Sequence, residues 1–102
     1  MTSITILDGG MSRELVRLGA VLRQPEWSAL ALMESPDLVR RVHEEFIAAG
    51  ADVVTTNSYA LVPFHIGETR FREEGRRLID LAGRLAREAA DAAGEGKVRV
   101  AG

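Results

Sequence analysis

The chain has 102 residues, 46% of them hydrophobic and 27% charged, which is enough apolar material for the core of one small domain. It has no cysteine, which excludes a disulfide framework, a thiolate metal site and a cysteine nucleophile within the chain. With a formal charge of -2, arginines interleaved with acids and no apolar run long enough to span a bilayer, we expect a cytoplasmic protein that binds neither nucleic acid nor membrane.

The chain opens with the pattern of a strand followed by a helix. The β-branched run SITIL, Ser3 to Leu7, ends at the turn signal Asp8-Gly9-Gly10. Apolar residues then recur at helical spacing from Met11 to Leu18, and Gly19 is a candidate C-cap. A short apolar stretch from Ala29 to Met33 predicts one or two further helical turns.

The clearest helical signal is SPDLVRRVHEEFIAAG. Ser35 is an N-cap candidate, Pro36 suits the first helical position, and Gly50 ends the helix. One stripe of this helix is predicted to face a sheet, and it consists of Val39, Val42, Phe46 and Ala49. His43 stands between polar neighbours, so we predict a half-exposed surface residue without a role.

A second strand and a longer helix follow. The run ADVVTT is apolar without alternation, which predicts a strand covered on both faces, as in parallel sheets. A helical pattern from about Glu68 to Ala93 is ended by Gly94 and Gly96. Its apolar side consists of Leu78, Leu81, Ala82, Leu85 and Ala89. The segment KVRVAG then predicts a third strand.

The order strand, helix, strand, helix, strand predicts an α/β fold with parallel strands joined by right-handed crossovers. A parallel sheet of three strands leaves its outer strands unpaired, so we expect the chain to be the opening third of a larger domain. A barrel of this kind needs about 250 residues.

Polar residues follow both of the first two predicted strands. Asp8-Gly9-Gly10 comes directly after the first, and Thr55 to Tyr59 after the second. Because the carboxyl ends of parallel strands meet at one edge, neighbouring strands would bring these clusters together. A carboxylate can hold an ammonium group, and glycine amides with a threonine hydroxyl can hold a carboxylate, so the combination suits an amino acid. Each cluster alone could instead be turn chemistry or a polar loop that satisfies its own backbone.

Some polar and aromatic residues lie outside these two clusters. His65, in the loop after the second strand, is a secondary candidate for ligand contact. Trp27 is predicted to be a packing anchor. The arginines of ETRFREEGRR alternate with acids, which favours a solvated helical face.

Three stretches of the chain resemble one known family: ILDGGMSREL, EWSALALMESPDLVRRVHEEFIAAGADVVTTNSYA and VRVAG. They are similar to the N-terminal portion of the homocysteine S-methyltransferases, which use donors such as S-methylmethionine, betaine or methylfolate. The resemblance covers nearly the whole chain. It implies that residues 1–102 are the first βαβαβ segment of a homocysteine-binding (β/α)8 TIM barrel, with strands 1 to 3 and the intervening helices.

The resemblance also implies which residues bind substrate. They are Asp8, Gly9, Gly10, Thr56, Asn57 and Tyr59. Asp8 corresponds to the acidic residue near the homocysteine amino group, the glycine amides lie near the carboxylate, and Thr56 supplies a hydroxyl. Asn57 and Tyr59 match positions at the rim.

The family resemblance implies a zinc ion that holds the homocysteine sulfur as a thiolate while it attacks the methyl group. The family's zinc ligands are cysteines on later strands, and this chain has none, so we expect the segment to bind no zinc and to be inactive alone. Ser12-Arg13 also replaces the usual Gly-Thr, which leaves the methyl donor open.

Two alternatives stay open. A free-standing binding module of flavodoxin-like type predicts a compact monomer with a cooperative melt. A non-catalytic barrel fragment predicts poor cooperativity, or self-association through exposed sheet edges.

Overall fold

The computed structural model describes residues 4–59, 61–94 and 96–102. Its helices are α1 (Met11–Arg17), α2 (Ser28–Glu34), α3 (Pro36–Ala48), α4 (Pro63–Ile66) and α5 (Glu68–Ala92), and its strands are β1 (Val53–Thr55) and β2 (Arg99–Ala101). These elements agree with the predicted mixture of helices and strands. The short helix α4 was not predicted, because the sequence analysis treated its residues as a loop.

The strands form a small parallel sheet. β1 pairs with β2 in parallel, with Val54 opposite Val100. On the other side of β1, Leu7 forms a single parallel bridge to Val53. The Asp8 N–H donates to the Val53 carbonyl at 3.0 Å, and the Asp52 N–H donates to the Ile6 carbonyl at 2.7 Å. β1 therefore lies between β2 and the segment 6–8, which we call the leading segment.

The predicted first strand, Ser3 to Leu7, is wrong in length. Ser3 lies outside the described residues, and the part from Ile4 onward contains only the one bridge at Leu7. Among the described residues this segment has a neighbour on one side only, so most of its backbone groups lack a ladder partner. The parallel direction and the position beside β1 agree with the prediction.

Helices α3 and α5 pack together and carry most of the core. Val39 and Val42 of α3 and Leu78 and Ala82 of α5 are fully buried. A second cluster lies beneath β1 and contains Val54, Ala86, Ala90 and Val98. The predicted apolar side of α5 is confirmed, with Leu81 half-buried at its margin. Burying these side chains supplies the main stabilisation of the helical layer.

Two predictions on α3 are wrong. His43 is 0% exposed, although we predicted a half-exposed surface residue. It follows Val39 by four positions, so it lies on the same inward stripe despite its polar neighbours in sequence. Ala49 is exposed, because the helix ends at Ala48 and the chain turns away at Gly50, whose φ is 113°.

The predicted ends of α1 and α3 agree with the structure. After α1 the Gly19 N–H donates to the Val16 carbonyl and the Ala20 N–H to the Leu15 carbonyl. This pair of bonds is a Schellman motif, and Gly19 provides the positive φ of 98° that it requires. Ser35 occupies the N-cap position of α3, but its side chain makes no capping hydrogen bond.

One face of the sheet is open in the described part of the chain. Val54 is fully buried against the helices, whereas Thr55 is exposed and Val53 is half-buried. The prediction of a strand covered on both faces is therefore wrong for these residues, since α3 and α5 cover one face only. Among the described helices, none combines the length and apolar composition needed to cross a membrane.

Candidate functional site

A groove of about 390 Å³ lies where the leading segment and β1 reach their carboxyl ends. Its lining residues are Leu7, Asp8, Gly9, Gly10, Met11, Thr55 and Tyr59. Four of the six residues predicted to bind substrate therefore line one groove: Asp8, Gly9, Gly10 and Tyr59. This convergence agrees with the prediction from the sequence, because the carboxyl ends of neighbouring parallel strands lie at the same edge.

Asp8 is held by Thr55. Its carboxylate accepts a hydrogen bond from the Thr55 N–H at 2.8 Å and a second from the Thr55 hydroxyl at 3.1 Å. Hydrogen bonds to an ionised carboxylate are about twice as strong as neutral ones, so this pair fixes the side chain firmly. A carboxylate offers about four acceptor positions, and two of them are still free for a ligand in the groove.

Thr56 and Asn57 are buried and do not line the groove. The Thr56 hydroxyl lies 2.7 Å from that of Ser58, and a Cβ added at Gly102 would lie 3.0 Å from the same Thr56 oxygen. Because side chains alternate along an extended segment, the hydroxyl on the Asp8 side belongs to Thr55 instead. Thr56, which the family resemblance implies as the hydroxyl of the site, is therefore not the threonine that contacts Asp8.

The Asn57 side chain connects two parts of the chain. Its amide donates to the Ser28 carbonyl at 3.1 Å, which ties the segment after β1 to the start of α2. Asn57 is 0% exposed, and its Oδ1 has no hydrogen-bond partner among the described residues. Asn57 therefore joins the segment after β1 to α2 and does not line the groove.

The two glycines differ in what surrounds them. A Cβ at Gly9 would lie 2.9 Å from the Phe46 ring, so this position has no room for a side chain. At Gly10 the nearest atom would be the Arg13 Cβ at 3.7 Å, an ordinary contact. Gly10 is the N-cap of α1. The positive end of the helix dipole therefore lies at the part of the groove that Gly10 lines.

Tyr59 lines the groove and is held by two serines that the sequence analysis did not assign to the site. The Ser28 hydroxyl donates to the Tyr59 hydroxyl at 2.6 Å. The Ser12 hydroxyl lies 3.3 Å from the same phenol oxygen. Ser28 is fully buried, and no local signal in the sequence links it to Tyr59.

His43 is fully buried and close enough to Asp8 to feel its charge. Both ring nitrogens are buried and unpaired among the described residues. Burial lowers the pKa of His43 below its ordinary value of 6.5, while the negative charge of Asp8 acts in the opposite direction. Burial is the larger of these two opposing effects, so the neutral form of the ring is favoured relative to a histidine in water.

A family model described as Homocysteine S-methyltransferase matches residues 5–102. The chain belongs to the homocysteine S-methyltransferase family. Homocysteine S-methyltransferase 1 of Brassica oleracea var. italica is 41% identical over 87 residues, which are 84% of this chain and 27% of the relative. Homocysteine S-methyltransferase YbgG of Bacillus subtilis (strain 168) is 43% identical over 89 residues, 86% of this chain and 28% of that protein.

Part of a solved structure of this family superposes on the chain. The crystal structure of the homocysteine methyltransferase MmuM from Escherichia coli, in its metallated form, superposes with a TM-score of 0.81 at 34% identity. The match covers 99% of this chain and 37% of MmuM. The chain thus spans about a third of the length of the homocysteine S-methyltransferases that it matches.

The residues of this family member do not fit a metal site. The whole chain has no cysteine, and the residues that the structure describes contain no group of three or more histidine or acidic side chains that could hold a metal ion. We therefore assign no metal ligand to this chain.

His65 and Trp27 stand away from the groove. The His65 Nδ1 lies 2.8 Å from the Pro25 carbonyl, which connects α4 to the loop before α2. Trp27 is 43% exposed, which contradicts its predicted role as a packing anchor. Neither residue lines the groove that contains Asp8, so the secondary candidacy of His65 gains no support.

Proposed function

We propose that the protein containing this chain is a homocysteine S-methyltransferase, which moves a methyl group from a donor to the sulfur of homocysteine and yields methionine. Family membership over residues 5–102 supports the reaction class. The observation that carries the proposal is the groove in which Asp8, Gly9, Gly10 and Tyr59 meet, because it offers complementary groups for an amino acid.

Asp8 is the group that receives the substrate's ammonium. Thr55 occupies two acceptor positions of the carboxylate and leaves the groove side free. An ammonium group supplies three N–H donors, so it forms charge-assisted hydrogen bonds with the remaining positions.

The backbone at Gly9 and Gly10 receives the substrate's carboxylate. Amide N–H groups at a turn that opens a helix attract an anion, and the missing side chains allow close approach. The roles of Thr56 and Asn57 are indirect in this proposal, because their buried side chains support the segment that carries Thr55 and Tyr59.

The reaction is a displacement at a methyl carbon. The homocysteine thiol releases its proton to water, and the sulfur attacks the methyl carbon. A new carbon–sulfur bond forms, and the donor leaves with the electron pair of its broken bond to methyl. Residues of this chain orient the amino-acid end so that the sulfur reaches the methyl group in line. The zinc that the resemblance implies finds no ligand set here, so no step on this chain passes through a metal.

The proposed architecture is a (β/α)8 barrel in which residues 1–102 contribute the first βαβαβ segment. The face of the parallel sheet that carries Thr55 is exposed, and this supports the proposal, since in a barrel that face becomes the interior. The TM-score of 0.81 to MmuM favours it over a flavodoxin-like module. A non-catalytic assembly of barrel fragments is the second candidate, favoured by the open sheet face. The cytoplasmic location stays a prediction from the sequence.

A methyl-transfer assay tests the proposed function. The full-length protein that contains this chain is incubated with homocysteine and with S-methylmethionine or betaine, and methionine is measured by mass spectrometry. Methionine formation that depends on both substrates is expected. Failure of every donor to yield methionine with a zinc-loaded, folded protein overturns the proposal and favours the non-catalytic candidate.

A further inference from the structure

Asp8 and Gly9 form the one aspartate–glycine pair in the sequence, since each of the other four aspartates is followed by a larger residue. Such a pair is chemically reactive, because the next backbone nitrogen reaches the side-chain carboxyl and glycine has no Cβ to hinder the approach. Asp8 is half-buried and Gly9 is exposed. In the part of the chain that the structure describes, the Gly9 N–H donates to no backbone carbonyl. The nitrogen is therefore available to react with the neighbouring carboxyl group.

The fold requires glycine at position 9. A Cβ here would lie 2.9 Å from the Phe46 ring, so a larger residue would have to displace that ring. Asp8 is fixed for a different reason, because it is the acidic residue that lines the groove. Packing and the groove together impose the reactive pair, so its protection has to come from a neighbouring residue.

Thr55 holds the Asp8 carboxylate in one orientation. The Thr55 N–H donates to it at 2.8 Å and the Thr55 hydroxyl at 3.1 Å. To meet the Gly9 nitrogen, the carboxyl group has to rotate and give up these hydrogen bonds. Hydrogen bonds to a charged group are stronger than those between neutral groups, so the held carboxylate resists this rotation.

We propose that Asp8 is a site of spontaneous modification, at which isoaspartate forms when the contact with Thr55 is released. The Gly9 nitrogen attacks the carbon of the protonated Asp8 carboxyl group, and a carbon–nitrogen bond forms. The carbon–oxygen bond to the hydroxyl breaks, and the hydroxyl leaves as water with the Gly9 amide proton. Water then opens the resulting five-membered ring at either carbonyl, which yields aspartate or isoaspartate.

Isoaspartate at this position disrupts the groove. It inserts one methylene group, a bond of about 1.5 Å, into the backbone between Asp8 and Gly9, and it shortens the acidic side chain by the same group. The longer backbone cannot keep both Asp8 in the groove and Gly9 against Phe46, because both positions are set by close contacts.

Bound homocysteine restrains both reacting groups, and this part of the inference rests on the proposed function. The substrate ammonium engages the Asp8 carboxylate, and the substrate carboxylate engages the Gly9 N–H. An occupied groove therefore blocks ring closure from both sides.

Ageing of the full-length protein near neutral pH and at physiological temperature tests the inference. Mass spectrometry measures isoaspartate in the tryptic peptide that ends at Arg13, in which Asp8 is the only aspartate. Thr55→Val removes the hydroxyl, and isoaspartate is expected to accumulate about tenfold faster than in the parent protein. Thr55→Ser keeps the hydroxyl and is expected to retain the parent rate. Homocysteine at about ten times its Kd is expected to slow the parent reaction about tenfold.

Two controls separate local release of the carboxylate from general unfolding. Asp52 has a similar hold, since its carboxylate accepts from the Ile6 N–H at 2.9 Å, but the β-branched Val53 follows it and hinders attack. No isoaspartate is expected at Asp52. Val39→Ala removes packing from the buried core, and it is expected to lower the free energy of unfolding without changing the rate at Asp8.

The outcomes separate this inference from the proposed function. Equal isoaspartate rates in Thr55→Val and the parent protein overturn it, and so does an equal increase in Val39→Ala. A parent rate that homocysteine does not change overturns the protection by substrate, while faster modification in Thr55→Val still supports the role of Thr55. Absence of methyl transfer by the parent protein overturns the proposed function and leaves the modification site at Asp8 intact.

Discussion

The Asp8 carboxylate and Thr55 form a two-point contact, in which the Thr55 N–H and hydroxyl donate at 2.8 Å and 3.1 Å. Asp52 ties the same two segments in the opposite direction, because its carboxylate accepts from the Ile6 N–H at 2.9 Å. Only Asp8 lines the groove. The chain therefore contains two acidic residues with similar bridging contacts, of which one alone faces the proposed substrate.

Asp8→Asn in the full-length protein is expected to raise the Kd for homocysteine roughly tenfold to a hundredfold, because a charge-assisted hydrogen bond to the ammonium is lost. Titration calorimetry measures the affinity, and zinc content is expected to stay unchanged. Asp52→Asn is the matched control and is expected to leave Kd within about twofold. Equal homocysteine affinity in Asp8→Asn and the parent protein would refute the role given to Asp8.

The position of Gly9 predicts a packing effect. A Cβ at this position would lie 2.9 Å from the Phe46 ring, so Gly9→Ala is expected to lower the free energy of unfolding by about 1–3 kcal/mol. Gly10→Ala, where the nearest contact is 3.7 Å, is expected to change it by less than about 1 kcal/mol. Urea unfolding measures both variants.

Phe46→Leu provides the internal check on Gly9, because a smaller side chain makes room for the added methyl group. Gly9→Ala is expected to cost less in the Phe46→Leu background than in the parent protein. If the losses in free energy of unfolding from the two substitutions are additive, a clash with Phe46 is not the cause. The effect of Gly9→Ala would then come from the backbone conformation at Gly9.

Local signals in the sequence were sufficient for the helical layer and for the edge that carries the groove. Repeating apolar residues defined α3 and α5, and Gly19 and Gly50 marked the helix ends that the structure has. The turn after the first predicted strand placed Asp8 at the groove, because the carboxyl ends of neighbouring parallel strands meet at one edge.

Contacts between distant residues could not be predicted in the same way. Ser28 and Tyr59 are 31 positions apart, and nothing local to either residue indicates the other. The prediction that His43 is half-exposed is wrong for a different reason. It was based on the polar neighbours of His43 in sequence, although helical spacing places His43 on the same inward stripe as Val39. Thr55 contacts Asp8 although the family resemblance implies Thr56, because consecutive side chains of a strand point to opposite faces.

The buried imidazole of His43 predicts a loss of stability in acid. Burial lowers its pKa in the folded state below the ordinary 6.5, so below that pH the unfolded chain binds more protons than the folded chain. The free energy of unfolding is therefore expected to fall as the pH decreases from 6.5 towards the folded-state pKa, with Asp8 reducing the effect. Urea unfolding at a series of pH values measures it.

His43→Leu tests the origin of this pH dependence. The variant removes two buried ring nitrogens that have no hydrogen-bond partner within residues 4–59, 61–94 and 96–102. Its free energy of unfolding is therefore expected to be equal to or higher than that of the parent, with the gain largest in acid. Val39→Ala, on the same stripe, is the control for lost packing and is expected to lower stability equally at every pH. An unchanged pH profile in His43→Leu would show that other groups cause the acid loss.

Self-association of the 102-residue chain is the expected consequence of its open sheet edge. Residues 4–7 present apolar side chains, with Ile4 81% and Leu7 67% exposed, and among the described residues the leading segment forms a single bridge to β1. Unpaired backbone groups next to exposed apolar side chains favour pairing with a second copy. We expect sedimentation velocity to show a weight-average mass above that of the monomer, rising with protein concentration.

Charge on this edge is expected to oppose the association. Ile4→Lys combined with Leu7→Lys should shift the chain to the monomer, because a second copy would then bury like charges beside each other. Val21→Lys, at a side chain that is 75% exposed outside the sheet, adds charge elsewhere and is expected to have a much smaller effect. A concentration-independent monomer in the unsubstituted chain would contradict association through this edge. If the edge variant and the control variant lower the weight-average mass equally, the change in association is caused by net charge and not by the sheet edge.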